Sequence, residues 1–215
     1  MQSVICCRRV KKGVGVIMAF SIVVDGHNFI NDLDRQGKGK DYVLSKLSFP
    51  ILHVVIQKRL KSEGLYSHPF IHTEFICSDH GEIGPFKGTE RNELLKKLKS
   101  EKGVTVLEVP HHTKKQKGVD LTVFIRMMTL ARSPAQPHEI VLFASDTDYV
   151  PALRLLAEQG THVIIVGFKT GTSSLNEGLV NESYLCLDLG ELLKNMEKAS
   201  DNQAAHRIAD KPGSR

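Results

Sequence analysis

Four aspartates stand where this chain could use them together. Asp25 closes one apolar run, Asp120 opens a helix-like segment, and Asp146 and Asp148 follow another apolar run. Carboxylates gathered in one crevice repel one another unless they are protonated or neutralised by cations, and an all-oxygen donor set suits Mg²⁺ or Mn²⁺. Mg²⁺ keeps several waters and takes one or two carboxylates together with phosphate oxygens, so the chemistry such a cluster favours is phosphodiester hydrolysis. No cysteine–histidine cluster offers a zinc alternative. Each acid also has a plain structural reading: Asp148 as an N-cap before Pro151, Asp120 as a charge at a helix N-terminus, Asp25-Gly26 as a strand-to-turn signal. Their shared placement, all at strand C-termini or helix N-termini, favours one common site.

Strand-like and helix-like segments alternate along the chain, the pattern of parallel strands joined by crossover helices. Strands are expected over 19–24, 70–77, 103–109, 139–144, 162–166 and 184–187. Helices are expected over 42–60, split at Pro50 with Ser48 as a cap, and over 89–100, 119–132, 148–159 and 189–198. In the 89–100 helix Leu94, Leu95 and Leu98 point inward, while Arg91, Lys96, Lys97 and Lys99 point outward; in 119–132 the core face is Leu121, Phe124, Ile125 and Met128. Ligands of open α/β sheets bind outside the carboxyl ends of strands where the strand order reverses. In a 3-2-1-4-5 order the first and fourth strands flank that point, so Asp25 converges with Asp146 and Asp148, and Asp120 faces the same crevice.

With 215 residues, 41% hydrophobic and 25% charged, the chain fits one globular domain over 18–198, with an extension over 1–17 and a polar, disordered tail over 199–215. The net charge of +5 favours an anionic partner, nucleic acid first. Cys6, Cys7, Cys77 and Cys186 lack CxxC spacing and suit a reducing compartment, hence a cytoplasmic protein. The basic then apolar N-terminus is not a signal peptide, because the apolar run ends in Asp-Gly-His-Asn rather than at a small-residue cleavage site. No other stretch approaches the ~18 to 20 apolar residues of a bilayer span. A homo-oligomer is left open. The basic loop 111–117 leads into Asp120, which makes Lys114, Lys115 and Lys117 candidate phosphate contacts; a solvated loop is the alternative. The Lys169 to Ser174 segment is a weaker phosphate cradle and lacks the P-loop ending.

Three segments in order, Val23-Val24-Asp25-Gly26-His27-Asn28, Lys117-Gly118-Val119-Asp120 and Ser145-Asp146-Thr147-Asp148-Tyr149, resemble the NYN domain family of PIN-like ribonucleases, over about residues 19–190. The resemblance implies a three-layer, Rossmann-like α/β fold, a central mostly parallel sheet flanked by helices, and Mg²⁺- or Mn²⁺-dependent cutting of single-stranded or structured RNA. It implies Asp25 and Asp146 as principal metal ligands and Asp120 and Asp148 as ligands or water-holders. Asn28 would orient the scissile phosphate or a water, and Ser145 would lend its hydroxyl or cap the turn. Tyr149 stands where the family often has Phe, a change expected not to disturb metal binding, and Glu182-Ser183-Tyr184 replaces a common Asp-x-Phe.

Two other functions compete with the nuclease. A haloacid-dehalogenase-like phosphatase needs a second Asp two residues after the first, where His27 stands. A non-catalytic RNA-binding or regulatory module of the same fold is the alternative to the nuclease, and erosion of the acids would be its mark; all four are present.

Overall fold

The structure, a computed structural model, describes residues 19–65, 72–110, 117–132, 138–171 and 174–209. The first strand, β1 (Ala19–Asp25), runs without a loop into α1 (Gly26–Arg35), followed by α2 (Lys40–Ser45) and α3 (Phe49–Ser62). Then come β2 (Thr73–Ser78), α4 (Gly88–Ser100), β3 (Val104–Val109) and α5 (Lys117–Ala131). The second half carries β4 (His138–Phe143), a 3₁₀ turn at Thr147–Tyr149, α6 (Val150–Glu158) and β5 (His162–Gly167). It ends with α7 (Glu177–Glu182), β6 (Leu185–Asp188) and α8 (Leu189–Ala209).

The six strands form one sheet in the order β3-β2-β1-β4-β5-β6, with every pairing parallel. The chain builds outward from β1 through β2 to β3, then returns through α5 to place β4 on the other side of β1. That return makes the β1–β4 boundary the switch point. Alternate residues of the central strands serve the two faces, since a strand buried between helix layers is apolar on both sides. Ile22, Val24, Phe75, Val141 and Phe143 pack with α1, α3, α4 and α8, while Val23, Ile76, Ile140 and Leu142 pack with α5, α6 and α7. This is the three-layer α/β architecture expected, with no helix among the described residues long and apolar enough to cross a membrane.

Several local expectations fail for identifiable reasons. Ser48 occupies the N-cap position of α3, but its side chain caps nothing, and the Phe49 N–H donates instead to Glu101 Oε2 at 2.8 Å. Arg91 does not point outward: it is 8% exposed, because its Nη2 donates to the Ser78 carbonyl at 2.6 Å. The buried stripe of α5 is Val119, Val123, Met127 and Leu130, whereas Leu121 and Ile125 are 58% and 50% exposed. What fixes that rotation is Arg126, which forms a two-pronged hydrogen bond through Nε and Nη2 to the buried carboxylate of Glu74 on β2. Burial alone would raise Glu74, but Arg126 and His72 hold it down at about 2, so the clasp stays charged. Helices α1 and α7 lie outside the elements expected from the sequence. The last helix continues past Ser200 to Ala209, through a stretch containing the strong helix formers Ala204, Ala205 and Arg207. Cys77 and Cys186 are free thiols, and Cys6 and Cys7 lie outside the described residues.

Candidate functional site

Asp25 is the pivot of the carboxyl edge. It ends β1, and its Oδ1 accepts the Asn28 N–H at 3.1 Å, so the side chain that closes the strand also caps α1. The strand can turn directly into a helix because residue 26 is glycine: a Cβ there would lie 2.5 Å from Phe75 Cε1 and 2.8 Å from the Ile76 carbonyl. Asp25 is only 4% exposed. Its other oxygen, Oδ2, accepts the Tyr149 hydroxyl at 2.8 Å.

Asn28 ties the two strands of the switch point together. Its Oδ1 accepts both the Ser145 backbone N–H (3.2 Å) and the Ser145 hydroxyl (2.7 Å). The backbone donor identifies the amide oxygen and so sets which side of the Asn28 amide carries the NH₂. Beyond Ser145 the chain makes its 3₁₀ turn, capped by Asp146, whose Oδ1 accepts the Asp148 N–H at 3.0 Å. The cap is therefore Asp146 and not Asp148, and Tyr149, not an aspartate, occupies the N-cap position of α6. Asp146 and Asp148 are exposed, and Asp120 is half-buried in the first turn of α5.

Electrostatics joins the four acids. Burial, with the charges of Asp120 and Asp146, raises Asp25 to about 6 against the two hydrogen bonds that favour its charged form. Burial raises Asp120 too, and Asp146 and Asp148 add to it while the Tyr149 hydroxyl opposes. Tyr149 is pushed well above the ordinary phenol range by burial and by Asp25, so it remains a donor. Among the described residues, no three His, Cys, Asp or Glu side chains are already drawn together as a metal cage. The donors nonetheless fit a hard divalent cation: they are all oxygen, and the raised Asp25 and Asp120 both carry repulsion that such a cation would reverse.

Sequence reasoning missed two participants. Tyr149, by sequence a neutral exchange for Phe, reaches Asp25 with its hydroxyl, and the departure from Phe is the signal that marks it. His27 is buried and its Nε2 accepts the Ser78 N–H at 3.1 Å, holding the end of β2 against α1, and no sequence signal marked it. Lys114 and Lys115 lie outside the described residues, and Lys117 is described by its backbone alone, at the start of α5. In the 169–174 loop the Thr170 carbonyl accepts from Gln36 Nε2 at 3.1 Å, and residues 172–173 lie outside the description. Glu182, the late carboxylate, pairs with Arg154.

No curated protein matches the chain. The family model described as NYN domain matches residues 56–186, more than half of the 215 residues. The matched region includes Asp120, Asp146, Asp148 and Tyr149; Asp25 and Asn28 precede it and join the site through the fold. The chain belongs to the NYN domain family, whose members are generally nucleases of the PIN-like fold.

Proposed function

We propose that this protein is a divalent-metal-dependent endoribonuclease that hydrolyses phosphodiester bonds in RNA through Asp25, Asp120, Asp146 and Asp148, with Mg²⁺ or Mn²⁺. The observation that carries the reading is the electrostatic coupling of Asp25 to Asp120 and Asp146 across the β1–β4 switch point. A bound divalent cation supplies Lewis-acid polarisation of the phosphodiester and of the attacking water. The chain's own residues do the positioning. Asn28 N–H and Tyr149 O–H fix both oxygens of Asp25, and the Asn28–Ser145 clasp holds the Asp146–Asp148 turn beside it. The Asn28 NH₂ would donate to a phosphate oxygen, and Lys114, Lys115 and Lys117, which precede Asp120 in the sequence, would be counter-charges for the backbone. The protein acts in the cytoplasm on this reading.

The test compares wild type with Asp146→Asn, prepared identically, on labelled single-stranded RNA, structured RNA and DNA with Mg²⁺, Mn²⁺ or EDTA. Metal-dependent cleavage that disappears in the variant is expected. Equal cleavage by both proteins, or by wild type in EDTA, would overturn the assignment. RNA binding without cleavage by either protein would favour the non-catalytic module.

A further inference from the structure

On the far side of β2 from the aspartates, α4 and β3 enclose an open groove of about 480 Å³ lined by Arg91, Asn92, Leu95, Lys96, Lys99 and Glu108. Three cations there face one carboxylate, an excess of two positive charges. Glu108 is shared: Oε1 accepts from Lys99 at 2.7 Å and Oε2 from Arg91 at 3.2 Å. Arg91 is a fixed charge in the wall of the groove. It is buried, and its Nε has no hydrogen-bond partner among the described residues, a costly arrangement for a guanidinium that only stabilises the protein's own fold. Lys96 and Lys99 are exposed at the rim.

The groove is joined to the acid site. Arg91 Nη2 holds the Ser78 carbonyl, the Ser78 N–H holds His27 Nε2, and His27 lies two residues after Asp25. Since β3 is two strands from β1, its upper end is about 10 Å from Asp25 along the same carboxyl edge. Arg91, near the start of α4, is the groove residue tied to that edge, and Lys96 and Lys99 follow it toward the C-terminal end of the helix.

We propose that this groove binds a backbone phosphate of the RNA, with Lys96 and Lys99 as its contacts and Arg91 as the fixed positive wall. The site takes a phosphodiester of a polynucleotide, not free phosphate, because the groove is open and its wall residue Arg91 is tied through Ser78 and His27 to the strand end that carries Asp25. The inference rests on the nucleic-acid reading of the aspartate site and extends it to a second point of attachment.

The full-length chain carrying Asp146→Asn, which keeps the RNA intact, is titrated with a fluorescein-labelled uridine oligomer by anisotropy at several salt concentrations. In that background Lys96→Gln/Lys99→Gln is compared with Lys58→Gln/Lys61→Gln, two exposed lysines at the end of α3 that do not line the groove. Loss of two single-strand phosphate contacts is expected to lower the magnitude of the log–log salt slope by about 1.4 and to weaken binding roughly 25-fold at ~0.1 M salt. The α3 pair is expected to leave both nearly unchanged. Glu108→Gln, which removes the counter-charge, is expected to tighten binding. Equal losses in the two lysine pairs, or none in the groove pair while the parent binds, overturn the groove and leave the nuclease reading standing. A parent that binds no oligomer overturns both. Inorganic phosphate at fixed ionic strength is expected not to displace the oligomer; displacement from the parent but not from the groove variant would make this a free-phosphate site and overturn the backbone assignment.

Discussion

Tyr149→Phe isolates the hydroxyl that links the α6 entry to Asp25. The ring remains to fill its buried position, and what is lost is one O–H donor 2.8 Å from Asp25 Oδ2. A hydrogen bond to a charged group contributes roughly 1.5–3 kcal/mol, and one pKa unit corresponds to about 1.36 kcal/mol, so removal should raise Asp25 by roughly one to two units. From about 6 it would move to roughly 7–8. At pH 7 the ionised fraction of Asp25 then falls from about 0.9 to between about 0.5 and 0.1, by the same relation. Because a carboxylate ligand must be deprotonated, Mn²⁺ affinity at pH 7 should weaken about two- to tenfold. Isothermal titration with Mn²⁺ across pH 5 to 9 reads this directly: the bend in log Kd against pH should move from near 6 to near 7–8. Proton release on metal addition should peak at correspondingly higher pH. Superimposable curves for wild type and variant would refute the reasoning, because the hydroxyl would then have no part in setting the charge of Asp25.

Gly26→Ala forces a Cβ against Phe75 and the Ile76 carbonyl and should cost about 1–3 kcal/mol, read as a lower urea midpoint with unchanged slope. Asn28→Ala leaves the Ser145 N–H without its acceptor and should cost roughly 1–3 kcal/mol. Amide exchange at Ser145 and Asp148 should quicken more than exchange in β5, and equal acceleration everywhere would count against a local clasp. Glu139 is buried near the start of β4 with Oε2 unpartnered among the described residues, and burial raises it from 4.5 to about 7. Its neutral form is therefore favoured by folding: the contribution is full below pH 4.5 and is lost as pH rises through 7. Glu139→Gln should leave the melting temperature at pH 4 nearly unchanged and raise it at pH 8 by removing a penalty on the order of 3 kcal/mol, and the same shift at both pH values would refute the assignment.

The strands were legible because a strand covered on both faces must be apolar at nearly every position, as Phe20, Ile22, Val23 and Val24 are, and so were the acids that follow them. Helix orientation was not. Along α5 nine of the fifteen residues are apolar, so the Leu121/Phe124/Ile125/Met128 stripe and the Val119/Val123/Met127/Leu130 stripe both satisfy helical spacing. The choice between them is made by a charged pair outside the pattern, Arg126 on Glu74, which no hydrophobic periodicity contains. The same limit hid α1. Phe29, Ile30 and Leu33 carry a helical spacing, but Asp25-Gly26 reads locally as the start of a turn, and only the close approach to Phe75 shows why glycine is needed to enter a helix there.

The candidate site divides along the same line. Residue type and order along the chain suffice to nominate Asp25, Asp120, Asp146 and Asp148, because strand ends at a switch point are fixed by topology. Which aspartate is buried, which caps its own turn and which hydroxyl restrains it are properties of contacts made across 124 residues of separation, as between Tyr149 and Asp25. Those contacts decide the chemistry. An exposed carboxylate such as Asp148 has water to solvate its charge, whereas Asp25 has two donated hydrogen bonds and the opposing charge of its neighbours. On the proposed function Asp25 is the acid that gains most from a bound cation, and its substitution by Asn should abolish metal-dependent activity while relieving, rather than adding, electrostatic strain in the metal-free protein.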